Sequence, residues 1–242
     1  MEVRFDNKIV IVTGASVGIG KATAIEFAKS GANVCIVDVN AKGIDIVADE
    51  IKKIGGKANT FVCDVSDEQR VREVVSDITK QYGKIDVLVN NAGLWRSWKP
   101  FAQTTSDEWK QRLNVNILGL MYFTHEVLPV MIENSYGRII NIGSVAGVYG
   151  NANMADYSMT KGAVSSFTKA LAKEVAKQGI TVNNVVPGSV RNEGASVETE
   201  LCYMGRTGEL QEYAYLICFL ASDKAAYISG QDYQIDGCRK KN

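Results

Sequence analysis

With 242 residues, 46% hydrophobic and 22% charged, the chain can build one large core and has the balance of a soluble globular protein. Lys plus Arg and Asp plus Glu each number 27, so the formal charge is zero; without a long basic run, composition speaks against nucleic acid and anionic membranes as partners. Five cysteines, odd in number and without a Cys-x-x-Cys pair, speak against a disulfide framework or a metal site and fit a reducing cytoplasm.

Cys35 and Cys63 lie in apolar runs and read as core, whereas Cys202 reads as exposed. The start, Met1 to Asp6, is too polar for a signal peptide, and no apolar run reads as long enough to span a bilayer, so a cytoplasmic protein is expected. Arg239-Lys240-Lys241 reads as a solvated end.

In chain order, β-branched runs predict strands at 8–13, 33–38, 58–64, 85–90, 138–142, 181–186 and 232–236. Helical spacing predicts helices at 18–29, 41–54, 67–81, 106–134, 155–178 and 209–221. Ser66 with Gln69, and Thr105 with Glu108, read as capping boxes at two of these starts. Strand-helix alternation with nearly continuous apolar strands predicts an α/β fold, one doubly wound domain over 1–242 with a mainly parallel seven-stranded sheet. Ligands of such sheets bind outside the carboxyl ends of the strands, so the loops there carry the functional signal.

The first such loop is Thr13-Gly14-Ala15-Ser16-Val17-Gly18-Ile19-Gly20, running from a strand into a helix. Glycines let the backbone turn sharply and approach a pyrophosphate, which helix N-terminal amides favour. Gly14, Ser16, Gly18, Ile19 and Gly20 are therefore candidate cofactor contacts. Asp38 closes the second strand, where a carboxylate can accept from an adenosine ribose and repel a 2′-phosphate. The nearby loops offer no arginine or lysine for such a phosphate, so NAD is expected over NADP. Asp38 could instead cap the next helix, although Asn40 could do that. Asp64, followed by Val65, could meet an adenine amino group or cap with Ser66. Asn90 and the Ala92-Gly93 turn could pack on the cofactor, or Asn90 could tie strands together.

Tyr157 and Lys161 stand four apart at the start of a helical segment, hence on one face. Alone the pair could be an ordinary amphipathic edge. A fixed ammonium beside a phenol would lower its pKa from about 10, and reaching neutrality takes about 4 kcal/mol of preference for the anion. Such a phenol could give and take protons at physiological pH.

These motifs, together with Asn116-x-x-Gly119, Ser144 and Pro187-Gly188 in this order and spacing, resemble the short-chain dehydrogenase/reductase family along nearly the whole chain. The resemblance implies a Rossmann fold, hydride transfer with a nicotinamide, a small-molecule substrate and a homotetramer. It implies that Tyr157 exchanges the proton, Ser144 hydrogen-bonds the substrate oxygen, Lys161 lowers the phenol pKa and bonds the nicotinamide ribose, and Asn116 binds a water leading to Lys161. Pro187, Gly188, Val190 and Asn192 would contact the nicotinamide. The family usually has threonine where Asn192 stands. The loop of about 189–208 is shorter than the usual substrate lid by roughly two helical turns and is polar, so a mobile lid over an open pocket is expected.

Trp95, Ser144, Val145, Ala146, Tyr149 and Met154 are expected to face the substrate, with Val190 beside them. Their mostly apolar character favours a bulky hydrophobic secondary alcohol or ketone such as a hydroxysteroid or bile acid. Arg96, Lys99 and Arg191 are weaker candidates to grip an anion, and Trp95 and Trp98 could be packing residues. The alternative is a 3-oxoacyl thioester reductase of fatty-acid synthesis; such enzymes normally favour NADPH, so Asp38 counts against it. A non-catalytic nucleotide-binding sensor on the same fold is a remote alternative, because Tyr157 and Lys161 are both present.

Overall fold

Seven strands order as β3-β2-β1-β4-β5-β6-β7 in one sheet, parallel at every pairing. They are β1 (Ile9–Thr13), β2 (Asn33–Asp38), β3 (Lys57–Val62), β4 (Val87–Asn90), β5 (Gly137–Ile142), β6 (Ile180–Pro187) and β7 (Asp232–Ile235). The structure is a computed structural model and describes residues 3–95, 98–191 and 200–240. The chain runs outward from β1 to β3 and then returns to add β4 on the other side. That reversal opens a crevice above β1 and β4, where the glycine loop and the Asn91-Ala92-Gly93 turn face each other.

Burial on both sheet faces explains the continuous apolar strands: β1, β4, β5 and β6 are buried along their whole length. Helices α1 (Gly18–Lys29), α2 (Ala41–Lys53) and α8 (Leu210–Ala221) cover one face through Phe27, Ile44, Ile51 and Ile217. The other is covered by α3 (Glu68–Tyr82), α5 (Gly119–Glu133) and α7 (Ala155–Val175) through Val74, Ile78, Phe123, Val127 and Leu171. This is a Rossmann-like α/β domain.

Several local expectations need correction. The segment expected as one helix from 106 to 134 is α4 (Ser106–Leu113), a π turn (Asn114–Leu118) and α5. The wide turn coincides with Asn116, whose side-chain amide is committed to the Leu94 backbone and to Thr160. Taken together, Ser106–Glu133 spans 28 residues with a mean hydropathy of 1.4 over its most apolar window, the length and composition of a bilayer span that a core helix can also have. In this fold it packs along α3 and the sheet.

Asp67, not Ser66, caps α3, its carboxylate accepting from the Arg70 N–H at 3.0 Å. The Ser66 hydroxyl donates to Asp64 at 2.7 Å instead. The Thr105–Glu108 capping box forms as expected. The last residues of the helix expected at 155–178 tighten into a 3₁₀ turn, Ala176–Gln178. Cys202, expected to be exposed, is buried, and the exposed cysteine is Cys238.

Sequence periodicity missed α6 (Val145–Tyr149), a single turn too short to show a pattern. Ser144 caps it, its hydroxyl accepting from the Ala146 N–H at 3.2 Å. Gly147 lets this turn press on α7: a Cβ there would stand 2.5 Å from the Lys161 carbonyl carbon and 2.6 Å from the Gly162 nitrogen. Gly147→Ala must push α6 away from α7, and we expect it to cost about 3 kcal/mol of unfolding free energy in urea titrations.

Candidate active site

A cleft of about 610 Å³ lies over the carboxyl ends of β1, β2, β4, β5 and β6. The expected residues Gly14, Ser16, Gly18, Ile19, Asp38, Asp64, Val65, Ala92, Gly93, Trp95, Ser144, Tyr157, Lys161, Pro187, Gly188 and Val190 all line it.

At one end, Gly14 and Gly18 adopt φ of +63° and +59°, a region costly for other residues. The Thr13 hydroxyl accepts from the Asn91 and Ala92 N–H groups at 3.0 and 3.1 Å, and Asn91 Nδ2 donates to the Thr13 and Gly14 carbonyls at 2.9 Å each. The two facing loops are thus stitched across the switch point. Val17 at the start of α1 makes no side-chain cap, so the helix presents its first amides to the cleft, as a pyrophosphate requires. Gly20 does not line the cleft; a Cβ there would collide with the Gly14 carbonyl, so this glycine serves close packing of helix on loop.

Asp38 is not the cap of α2. Asn40 takes that role, accepting from the Gly43 N–H at 3.1 Å. The Asp38 carboxylate accepts from the Ser16 N–H at 3.0 Å and the Asn40 N–H at 2.9 Å, which leaves lone pairs of both oxygens available at the cleft edge. Val17 and Val39 beside it are 66% and 62% exposed, so apolar groups stand where a phosphate would need cations. Among the described residues, Lys161 is the only lysine or arginine lining the cleft.

At the other end Ser144, from the β5–α6 junction, and Tyr157, from the first turn of α7, bring their side chains together at the cleft wall. Burial pushes the Tyr157 phenol up from its ordinary value, with the Ser144 hydrogen bond pulling the other way. Lys161 Nζ donates to the Ile142 carbonyl at 2.6 Å and stands 5.9 Å from the centre of the Tyr157 ring. Burial lowers Lys161 to about 8. The expected depression of the phenol by Lys161 is therefore not met in this arrangement: the ammonium is itself desolvated and is turned toward a carbonyl.

Asn116 lies behind this pair and does not line the cleft. Its Oδ1 accepts from the Leu94 N–H at 2.7 Å, and its Nδ2 donates to the Leu94 carbonyl at 2.9 Å and to Thr160 Oγ1 at 3.1 Å. A Cβ on Gly93 would stand 3.5 Å from both Asn116 Oδ1 and Lys161 Nζ, so the two groups converge under that turn.

Of the two readings of Asn90, the strand tie is the one met: its Nδ2 donates to Thr124 Oγ1 and Asn141 Oδ1 at 3.0 and 2.9 Å. Four expected substrate residues also lie elsewhere. Val145 and Ala146 are buried where α6 packs, Met154 is buried at the α7 N-cap, and the Tyr149 hydroxyl donates to Gln234 Oε1 at 2.8 Å. Lys99 and Arg191 are ion-paired with Glu108 and Glu209, each at 2.8 Å. Asn192 and Arg96 lie outside the described residues. Sequence reasoning missed Asn91, Leu94, Gln111, Val115 and Ile142 as lining residues. Asn91 and Leu94 flank a recognised turn and could have been found there; Gln111 and Val115 arrive from a distant helix and carry no local signal.

A family model described as short chain dehydrogenase matches residues 8–200. The 3-oxoacyl-(acyl-carrier-protein) reductase of Thermotoga maritima is 38% identical over 242 residues, covering 97% of this chain and 98% of the relative. The cyclohexanol dehydrogenase of an Acinetobacter species is 32% identical over 243 residues, covering 98% and 96%. A solved 7α-hydroxysteroid dehydrogenase, in complex with NADH and 7-oxo glycochenodeoxycholic acid, superposes with a TM-score of 0.93 at 32% identity, covering 100% of this chain and 98% of that one.

Lys161 gives a stability prediction. Its folded pKa of about 8 lies below the ordinary 10.5, so the unfolded chain binds more protons between those values. Stability then rises with pH across that window, and the penalty for the buried charge is fully present below it. The difference corresponds to about 3 kcal/mol, less about 1 kcal/mol for the lost hydrogen bond to Ile142. Lys161→Met is expected to be about 2 kcal/mol more stable than the parent at pH 7, with the gain fading toward pH 10.5, as read from chemical denaturation across pH.

Proposed function

This chain belongs to the short-chain dehydrogenase family, and we propose that it transfers a hydride between NAD(H) and a secondary alcohol or ketone. It is an oxidoreductase of a nicotinamide-binding family. The observation that carries the finer reading is one cleft holding Asp38 at one end and Ser144, Tyr157 and Lys161 at the other.

A bound nicotinamide supplies the hydride for ketone reduction and accepts it in the reverse direction. The α1 amides and the Gly14–Gly18 loop would hold its pyrophosphate, and Asp38 its adenosine ribose. In reduction, the Tyr157 hydroxyl gives its proton to the carbonyl oxygen as the alcohol forms, while the Ser144 hydroxyl donates a hydrogen bond that holds that oxygen in place. Burial raises the Tyr157 phenol, which keeps it protonated for this role at neutral pH. Oxidation needs the phenolate, which burial of Tyr157 opposes, so the arrangement favours the reductive direction.

For the substrate, the sequence relatives shift the preference from the hydroxysteroid expected above to a 3-oxoacyl thioester, reduced here with NADH. Of the apolar positions that favoured a steroid, Trp95 and Val190 line the cleft, whereas Val145, Ala146 and Met154 are buried away from it. The hydroxysteroid remains the second reading because of the structural likeness to an enzyme solved with NADH and a 7-oxo bile acid. The proposal includes a cytoplasmic homotetramer; light scattering should give a mass near four times that of the 26.4 kDa chain.

NADH and NADPH consumption across 3-oxoacyl thioesters, 7-oxo bile acids and cyclohexanone tests the reading. Thioester turnover with NADH supports it, bile-acid turnover alone selects the second substrate, and an NADPH preference overturns the role of Asp38. Asp38→Ser is expected to lower the NAD over NADP ratio of kcat/KM by at least about tenfold, equivalent to about 1.4 kcal/mol. Tyr157→Phe should cut kcat by about a thousandfold while leaving NADH affinity, read by fluorescence, within about twofold.

A further inference from the structure

One residue out of step with Tyr157 and Lys161, α7 carries a second set of buried polar groups. Asp156 and Thr160 stand four apart on α7, and Arg112 and Asn116 stand four apart across α4 and the π turn, so each pair shares a face. The two faces meet rung to rung. The Arg112 guanidinium pairs with the Asp156 carboxylate, and Asn116 Nδ2 donates to Thr160 Oγ1 at 3.1 Å. All four residues are between 1 and 6% exposed.

Each rung reaches the backbone of Tyr157. Asp156 Oδ1 accepts from the Tyr157 N–H at 3.0 Å, and the Thr160 hydroxyl donates to the Tyr157 carbonyl at 2.8 Å. Met154, the N-cap of α7, makes no side-chain cap, so the first turn lacks the usual local anchor for its amides. An ion pair and a hydrogen bond from a neighbouring helix stand in its place. A buried ion pair is weak evidence for stability as such, which makes a role in fixing geometry the more informative reading.

We propose that Arg112, Asp156 and Thr160 are positioning residues which, with Asn116, hold Tyr157 at both its N–H and its carbonyl and thereby set the phenol against Ser144. The proposal rests on the hydride-transfer reading above. A small displacement of a reacting group is enough to slow chemistry without loosening substrate or cofactor.

Arg112→Met alone leaves a buried carboxylate without its cation and is expected to lower the thermal midpoint. The test therefore adds the double variant Arg112→Met/Asp156→Asn and, separately, Thr160→Val. The double variant should regain the thermal midpoint lost by Arg112→Met but keep a kcat about tenfold below the parent, and Thr160→Val should lose kcat by a similar factor. In both, KM and the NADH dissociation constant should stay within about twofold. Recovery of kcat in step with the thermal midpoint, or parental kcat in both variants, overturns the proposal. Deuterium uptake by a peptide spanning 155–161, measured with NADH bound, needs no substrate. Faster uptake in both variants supports the clamp and unchanged uptake overturns it, even for a parent that turns over nothing in the panel; that last result would overturn the proposed function instead.

Discussion

The buried ammonium of Lys161 is the constraint around which the site is arranged. Removing such a charge from water is expensive, and burial here drives its pKa down to about 8. The charge is tolerated because the Ile142 carbonyl at the end of β5 accepts from it at 2.6 Å. That contact in turn requires α7 to approach the strand ends closely, which Gly147 permits by bringing the α6 backbone against the Lys161 peptide. Sheet, turn and helix are thus coupled through one unfavourable group, the kind of local cost that functional sites carry.

The second organising contact is the stitching of the β1 and β4 loops by Thr13 and Asn91. Parallel topology places those loops side by side at the switch point, and the four hydrogen bonds keep them there. The uncapped start of α1 and the Asp38 carboxylate then face one end of the same cleft whose other end holds Ser144 and Tyr157. The opening is shared by both halves of the sheet: the glycine loop and Asp38 come from one, and Ser144, Tyr157 and Lys161 from the other.

In an isolated helix, Tyr157 and Lys161 would be neighbours on a solvated face, and their spacing alone suggests a phenol with a lowered pKa. Tertiary burial reverses that for the tyrosine and weakens the lysine as a source of charge. Both shifts arise from desolvation by segments far away in sequence, so no reading of the spacing could supply their sign. The same holds for Val145, Ala146 and Met154, whose apolar character suggested a substrate wall and proved to be ordinary core.

The sequence by itself determined the α/β class, the near-complete order of strands and helices, the glycine loop with Asp38 at the end of its strand, and the four-residue spacing of Tyr157 and Lys161. Those features are local: period, turn chemistry and residue spacing carry them in a few consecutive residues. Only the tertiary structure decided that Asn90 ties strands while Asn91 faces the cleft, that Asn116 sits in a π turn, and that Arg112 meets Asp156. Each depends on which distant side chains share one buried space, and packing of that kind leaves no periodic trace in the chain.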